Sequence, residues 1–196
     1  MEKLIERVKS ILLNPKETWE IIKSEEETQM SIIKNYLLIL AAIPPVASFI
    51  GQVIVGTTIP LVGHYRIPFF TGLIWAILQY VLLIAGIYIS AIVVNALAPN
   101  FGGTKNNIAA FKLVAYTYTV PLVAGVLDLV PTLSVIAFLL SLYGIYVFYL
   151  GLPVMMGNPK EKTTSYTVVA ILVIIVVLVI VQGVAGLVLG STVPHY

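Results

Sequence analysis

The chain has 196 residues, of which 59% are hydrophobic and only 10% are charged. Soluble domains carry about 25% charged residues, so this composition disfavours a soluble domain and indicates one membrane domain. The net charge of +2 is too small to favour nucleic acid as a partner. The chain has no cysteine, which excludes disulfides, thiolate metal sites and a cysteine nucleophile within it.

Two short helical patterns precede the first long apolar segment, and we assign them to a cytoplasmic or interfacial region, residues 1–30. The second pattern opens with Asn14-Pro15-Lys16-Glu17, in which asparagine is a helix cap and proline stands at the first helical position. Trp19 and Ile22 share one face of this helix. The two amphipathic helices either lie in the cytoplasmic headgroup layer with Trp19 as an anchor, or pack on each other or on cytoplasmic loops. The first pattern places these apolar residues on one face: Leu4, Ile5, Val8, Ile11 and Leu12.

Five stretches of residues 31–196 are long and apolar enough to cross a bilayer, which takes about 20 residues of helix. They span approximately residues 32–55, 69–98, 108–130, 132–156 and 166–190. The last stretch is rich in β-branched residues, but an isolated strand would leave its backbone unpaired in lipid, so a helix is favoured. We therefore predict an all-α polytopic integral membrane protein with five transmembrane helices, preceded by short amphipathic cytoplasmic helices.

The basic residues predict the orientation of these spans. With five crossings, every lysine and arginine except Arg66 falls on one side of the membrane. Because short cytoplasmic segments are enriched in lysine and arginine, we expect the N-terminus to be cytoplasmic and the C-terminus to be outside. Lys34 and Lys112 lie near the cytoplasmic ends of their spans, where we expect their ammonium groups to reach the interface.

The tetrapeptide Asn-Pro-Lys-Glu occurs a second time, as Asn158-Pro159-Lys160-Glu161 before the fifth predicted span. The two copies are either a repeated cytoplasmic docking element or simply two helix starts near the inner surface. No longer internal repeat is evident, so the sequence does not support an inverted-repeat transporter.

Asp128 is the one acidic residue within a predicted span. It lies about 30 Å along the third helix from Ile108, near the outer boundary of the membrane. Its carboxylate is either solvated or paired with an outer-loop residue such as Arg66 or His64, or it contacts a cation or lipid headgroup at the outer mouth. The centre of the membrane is thus predicted to hold no formal charge, which disfavours ion-coupled transport.

Uncharged polar residues and prolines do occur at central depth. Pro44 and Pro45 interrupt the first span and Pro121 the third, and each leaves a backbone carbonyl without its helical partner. Buried tyrosine hydroxyls need partners that such carbonyls can supply. We predict a polar seam between the third and fourth helices, which is either structural or lines a cavity for a lipid or small molecule. Its members are Tyr116, Tyr118, Ser141, Tyr143 and Tyr146.

Several glycines are candidates for close helix packing, either within one chain or between two copies. They are Gly144, Gly151, Gly183, Gly186 and Gly190. His64 and His195 both fall on the outer side, and two lone histidines do not make a metal site. Recognised catalytic and nucleotide-binding motifs are absent from the sequence, so we expect no enzymatic activity, cofactor or metal.

Two segments resemble a known family. Asn14-Pro15-Lys16-Glu17-Thr18-Trp19 resembles the short N-terminal motif of prokaryotic Yip-family proteins, the Ypt/Rab-interacting membrane proteins. Residues 101–121, FGGTKNNIAAFKLVAYTYTVP, resemble that family's Gly-Gly loop and the Ala-Tyr…Pro span that follows it. The resemblance implies an α-helical membrane scaffold without catalysis, in a prokaryotic cytoplasmic membrane. Eukaryotic relatives bind prenylated small GTPases, but this sequence lacks their long acidic, aromatic N-terminal region, so a GTPase partner rests on family analogy alone.

The leading functional prediction is a noncatalytic membrane adaptor or organiser. It would act through contacts with membrane lipids, other membrane proteins or a second copy of itself. The rival prediction is a passive transporter or channel for a lipidic or uncharged solute, built around the proline kinks and the tyrosine seam. An intramembrane enzyme is a third alternative, which Asp128 alone motivates.

Overall fold

The computed structural model describes residues 2–59 and 63–190, with the side chains of residues 57–59, 177–178 and 180–190 excepted. Two helices come first, α1 (Glu2–Leu13) and α2 (Pro15–Ser24). Pro15 occupies the first turn of α2 as expected, although the Asn14 side chain makes no capping hydrogen bond.

The first long helical segment runs from Gln29 to Val55 and is irregular. Its parts are α3 (Gln29–Ile32), a π-helical turn (Ile33–Leu37), α4 (Leu38–Ala41), α5 (Ile43–Phe49) and a second π-helical turn (Ile50–Val55). The break between α4 and α5 falls just before Pro44 and Pro45, whose rings remove two helical donors. A short antiparallel hairpin follows, with β1 (Thr57–Ile59) paired to β2 (Gly63–Tyr65).

The remaining segments are more regular. The second is α6 (Phe69–Leu97), extended by a 3₁₀ turn (Ala98–Phe101). The third consists of α7 (Asn107–Thr117), α8 (Thr119–Ala124) and a 3₁₀ turn (Gly125–Leu129), and it breaks at Tyr118 ahead of Pro121. The fourth begins with a 3₁₀ turn (Pro131–Leu133) and continues as α9 (Ser134–Ser141) and α10 (Tyr143–Met156). The last helix is α11 (Lys160–Gly190).

Four of these segments, searched within the described part of the chain, are long and apolar enough to cross a membrane. They are Gln29–Val55, Phe69–Phe101, Asn107–Leu129 and Pro131–Met156. Each corresponds to one of the first four predicted spans. The helix α11 contains the predicted fifth span, and its crossing stays a prediction.

The third span lies at the centre of the bundle. Within its most apolar stretch 72% of the residues are buried, against 28–33% in the other three spans. Every residue from Ala110 to Tyr116 is buried. The other helices expose large apolar side chains, as a surface solvated by lipid tails permits: Phe70, Ile77, Val135, Phe138 and Leu172 are examples.

The loops at one end of the bundle are joined by backbone hydrogen bonds. Gly102, with φ of +74°, ends the turn after α6. Thr104 N–H then donates to the carbonyl oxygen of Met156 at 2.9 Å, which ties the loop before α7 to the end of α10. A side chain at Gly103 would meet that same carbonyl at 2.9 Å. The loop carrying Lys105 and the loop carrying Asn158 therefore lie at the same end of the bundle.

Candidate functional site

The second N-terminal helix packs inside the bundle against α10. Trp19 is only 1% exposed, and its indole Nε1 donates a hydrogen bond to the carbonyl oxygen of Val147 at 3.0 Å. A Cβ at Gly151 would lie 2.5 Å from Cε2 of Trp19, so this approach requires glycine. Trp19 is thus a packing residue in the structure, and the headgroup anchor considered from the sequence is wrong. The indole occupies space beside Gly151 in the fourth span, and the sequence around Trp19 gives no sign of this contact.

The end of α2 is bound by a lysine from the third span. Lys112 is 4% exposed, and its Nζ donates to the carbonyl oxygens of Ile22 at 2.9 Å and Glu25 at 2.5 Å. The last carbonyls of a helix have no partner within the helix and carry partial negative charge, so a cation is favoured there. The expectation that the Lys112 ammonium extends to the interface is therefore wrong, because carbonyl oxygens of the N-terminal segment bind it inside the protein.

Charged residues of the N-terminal helices surround the same point on the third span. Arg7 forms an ion pair with Glu25, and its guanidinium carbon lies 5.6 Å from the centre of the Tyr116 ring. The Tyr116 hydroxyl donates to Oε2 of Glu27 at 2.6 Å. We call Arg7, Glu25, Glu27, Lys112 and Tyr116 the polar clasp.

The clasp fixes the charge of its arginine. Burial of the guanidinium lowers the pKa of Arg7, but the hydrogen bond to Glu25 and the fields of the neighbouring acidic groups raise it by more. The net result is a pKa above the ordinary value, so Arg7 is a permanent cation. The Arg7–Glu25 pair is partly exposed, with 19% and 31% of the side chains accessible, so its contribution to stability is about 1 kcal/mol or less.

The clasp changes the expected distribution of charge. Sequence analysis predicts an uncharged interior because it considers only residues within the spans. In the structure, Glu27 accepts a hydrogen bond from Tyr116, and Arg7, which is paired with Glu25, lies over the Tyr116 ring. Tyr116 lies about 13 Å along α7 from Asn107. Formal charge therefore reaches well into the third helix, carried there by the N-terminal segment.

The tyrosines of the predicted seam do not share one interior surface. Tyr146 is 52% exposed and Tyr143 is 36% exposed. The Tyr143 hydroxyl donates to the carbonyl oxygen of Leu12 at 3.1 Å, while Ser141 donates to Ala137 within its own helix at 2.7 Å. Only Tyr116 and Tyr118 lie in or against the buried core. The fourth helix turns its tyrosines outward and towards α1.

A polar contact that sequence analysis missed joins the first span to the third. The hydroxyls of Tyr36 and Thr119 lie 2.6 Å apart, and the ring of Tyr36 packs edge-on against Tyr116 with centroids 4.9 Å apart. Tyr36 is 5% exposed. The available signal was a tyrosine within an apolar span, which needs a hydroxyl partner when buried.

Asp128 lies in the 3₁₀ turn at the C-terminal end of the third span and is partly buried. Within residues 2–59 and 63–190 the structure records no ion pair between Asp128 and Arg66 or His64. The turn packs on the proline kink of the first span, since a Cβ at Gly125 would lie 2.7 Å from Cγ of Pro44. Asp128 is thus remote from the clasp.

The candidate packing glycines differ from one another. Gly151 faces Trp19, whereas a Cβ at Gly144 would make only ordinary contacts, the nearest at 3.6 Å to Val120. Pro121 lies beside Gly144, since its Cδ would be 3.7 Å from the same added Cβ. The packing of Gly183, Gly186 and Gly190 lies outside the described residues, as does His195.

The clasp is built to hold two parts of the chain together. Its donors, namely the guanidinium, the ammonium and the Tyr116 hydroxyl, are each bound to an oxygen atom of the N-terminal segment. No group of three potential metal ligands occurs in the part of the chain that the structure describes. The arrangement can position the N-terminal helices on the membrane domain.

The apolar spans and their exposed hydrocarbon surface define a helical integral membrane protein. The sequence model of the Yip1 domain matches residues 9–181, and the chain belongs to that family. This confirms the resemblance seen in the two sequence segments. The matched range begins within α1 and ends within α11, so it includes most of the polar clasp.

Curated relatives agree with this class. The chain is 26% identical over 157 residues to Inner membrane protein YohC of Escherichia coli strain K12, which covers 79% of this chain and 80% of the relative. The protein of the same name from Escherichia coli O6:H1 strain CFT073 gives the same identity and coverage. No solved structure matches the chain.

Proposed function

We propose that this Yip1-family protein is a noncatalytic organiser of a prokaryotic cytoplasmic membrane. Its N-terminal helices form a fixed platform on the membrane domain, and partners or lipids bind that platform. The observation that carries the proposal is the polar clasp, in which Lys112 binds the end of α2 while Tyr116 and Arg7 bind the residues after it.

The platform presents a charged outer surface. Trp19, Ile22 and Ile11 face inward and are buried, whereas the charged residues of both helices are largely exposed. Examples of exposed charged residues are Lys3, Glu6, Lys9, Glu17 and Lys23. A rigid charged surface on a membrane-embedded base is suited to binding a protein or a lipid headgroup without a conformational cost.

The proposal includes five crossings with the N-terminus in the cytoplasm. It is supported by the 31-residue length of α11 and by the gathering of basic segments at one end. Lys16 and Lys160 line one cavity, and the loop carrying Lys105 is bonded to Met156. Lysine-rich short segments favour the cytoplasmic side.

The native chain has no cysteine, which makes the orientation simple to test. Single cysteines replace Lys105, Lys160 and Arg66 in turn, and a membrane-impermeant maleimide is added to intact cells. We expect labelling of Arg66→Cys only, with the two lysine variants labelled after the cells are opened. Labelling of Lys160→Cys in intact cells would contradict the orientation.

The transport alternative depends on a cavity along Tyr118, Tyr143 and Tyr146. Tyr143 and Tyr146 lie on the outer surface of the fourth span, so the described residues do not favour that alternative. Flux measurements on proteoliposomes check it directly. Uptake of uncharged solutes or lipids above that of empty liposomes, lost in Tyr118→Phe, would replace the organiser proposal.

Co-purification tests the organiser role. The wild-type protein and a Lys112→Met variant, in which the end of α2 loses its cation, are isolated from native membranes after mild crosslinking. We expect the wild type to retain defined proteins or lipids that the variant loses, while Lys105→Met behaves as wild type. A wild-type chain that repeatedly emerges alone would refute the proposal.

A further inference from the structure

The two copies of Asn-Pro-Lys-Glu meet in space. Lys16 from the first copy and Lys160 from the second line the same cavity of about 430 Å³, although they are far apart in sequence. Pro15 starts α2 and Lys160 starts α11. Each copy thus lies at the start of a helix, with Pro15 as the first residue of α2 and Pro159 directly before α11, and the lysines of the two copies line one cavity.

The cavity carries an excess of positive charge. Lys16, Glu20 and Lys23 follow one face of α2, and Lys160 faces them from the start of α11. In the described parts of the chain the structure records no ion pair for any of the three lysines. Lys16 and Lys160 also stand in the first turns of their helices, where the helix dipole is positive. Glu20 is the one acidic residue among the described residues that line the cavity, against three lysines, so an anion is favoured.

The floor of the cavity is apolar. It is formed by Tyr149, Leu150, Pro153 and Val154 of α10. Further along the same two helices, away from the loop that joins them, exposed apolar side chains include Ile145, Val168 and Leu172. A ligand that fits has an anionic head at the lysines and a hydrocarbon chain along the helices.

The position of the cavity matches the level of lipid phosphates. Lys160 follows the end of the fourth span at Met156 by four positions, so we expect its ammonium at the boundary between hydrocarbon and water. Basic pockets between transmembrane helices on the cytoplasmic side bind anionic headgroups. A soluble anion would use the lysines but would leave the apolar floor uncovered.

From these contacts we propose that the cavity between α2, α10 and the first turn of α11 binds an anionic phospholipid of the cytoplasmic leaflet. The proposal rests on the organiser function and its orientation, and it names the lipid that the platform holds. The phosphate binds Lys16, Lys23 and Lys160, and one acyl chain lies along Tyr149 and Leu150. The protein thereby holds a specific lipid at the joint between its N-terminal platform and its membrane helices.

The test uses the full-length protein in nanodiscs of phosphatidylcholine with a small fraction of phosphatidylglycerol of the same acyl chains. Native mass spectrometry then measures which lipid stays bound. We expect a preference for phosphatidylglycerol that falls about 25-fold in the double variant Lys16→Gln/Lys160→Gln, since one interfacial lysine contributes roughly fivefold. The matched control is Lys34→Gln/Lys105→Gln, which removes the same charge at two exposed lysines that do not line the cavity and should keep the preference.

A variant that is expected to strengthen lipid binding distinguishes loss of the site from misfolding. Glu20→Gln removes the opposing carboxylate and should strengthen retention of phosphatidylglycerol by about fivefold. Inorganic phosphate at millimolar concentration should not displace the lipid, because it cannot use the apolar floor. Displacement by inorganic phosphate, or equal loss of preference in the control, would overturn the proposal.

The lipid-binding proposal and the organiser proposal can fail independently of each other. If phosphatidylglycerol is retained through Lys16 and Lys160 while no protein co-purifies, the lipid site stands and the protein-organising role fails. If protein partners persist in a Lys16→Gln/Lys160→Gln variant whose lipid preference matches that of the wild type, the lipid site fails alone.

Discussion

The indole of Trp19 donates its hydrogen bond to the backbone oxygen of Val147, a residue 128 positions later in the chain. The contact joins a helix outside the first four spans to the middle of the fourth. Around it the ring is enclosed by Gly151 and Leu113, so α2 is part of the same core as the spans. The stability of the N-terminal helices is therefore a property of the whole bundle.

Gly151→Ala should destabilise the protein, whereas Gly144→Ala should not. The added methyl at Gly151 meets Trp19 at 2.5 Å and Leu113 at 2.6 Å, while at Gly144 the nearest atom is 3.6 Å away. Overpacking of this kind costs about 1–3 kcal/mol. Thermal unfolding of the purified variants in detergent measures the difference. Equal midpoints for the two variants would show that α2 does not pack on α10 this closely.

Trp19→Phe and Trp19→Ala should form a graded series. Phenylalanine keeps much of the buried ring and loses the hydrogen bond to Val147, which costs about 1 kcal/mol for the bond itself. Alanine leaves a cavity and should cost about 3–5 kcal/mol. Unfolding by heat or denaturant in mild detergent gives both values. A tryptophan held only in the headgroup layer would give two small and similar losses.

Lys112→Met should loosen α2 without removing the fold. The substitution keeps most of the side-chain volume and removes the ammonium that binds the carbonyl oxygens of Ile22 and Glu25. Hydrogen bonds to charged groups contribute about 1.5–3 kcal/mol. In a Trp75→Phe background Trp19 is the only remaining tryptophan, since the chain has two. Quenching of its fluorescence by acrylamide should rise in Lys112→Met.

The control for that experiment is Lys105→Met, because Lys105 is exposed in the loop before α7. It removes the same charge from the same end of the bundle. Unchanged quenching in the control and increased quenching in Lys112→Met together assign the effect to the clasp. Strong quenching of Trp19 already in the Trp75→Phe parent would show that the indole is not enclosed.

A double-mutant cycle on Arg7 and Glu25 should give a coupling of about 1 kcal/mol or less. Both side chains are partly exposed, at 19% and 31%, and exposed ion pairs are weakened by solvent and by side-chain entropy. Arg7→Ala, Glu25→Ala and the double variant are compared by thermal unfolding at low and at high salt. The coupling should fall as salt rises. A coupling several times larger and insensitive to salt would place this pair in a drier environment.

The first four spans and the proline breaks could be predicted from the sequence because each depends on local information. Length and hydropathy define a span, and a proline removes its own donor wherever it stands. The break at Leu142 could not be predicted in this way, since no proline adjoins it. Pro153, in contrast, lies inside α10 without ending it.

The polar clasp could not be derived from the sequence because its members are distant in the chain. Lys112 and Tyr116 are each one polar residue in an apolar helix, and their partners follow α2 at Glu25 and Glu27. From the neighbouring sequence alone, the lysine ammonium is predicted to reach the membrane interface, and the tyrosine hydroxyl is predicted to bind a residue of an adjacent span. The same limit explains Tyr143, which faces Leu12 instead of the third span.

The separation between Ile22 and Lys112 also sets a delay during synthesis. They are 90 residues apart, and a ribosome adds about 5–20 residues per second. Lys112 is therefore synthesised roughly 5–20 s after Ile22, and α2 has no bound ammonium until then. During that time the apolar surface of Ile11, Trp19 and Ile22 has no fourth helix to cover it. The surface of the lipid bilayer can cover them in the meantime, so we expect the newborn chain to hold these helices in the headgroup layer until the later spans are made.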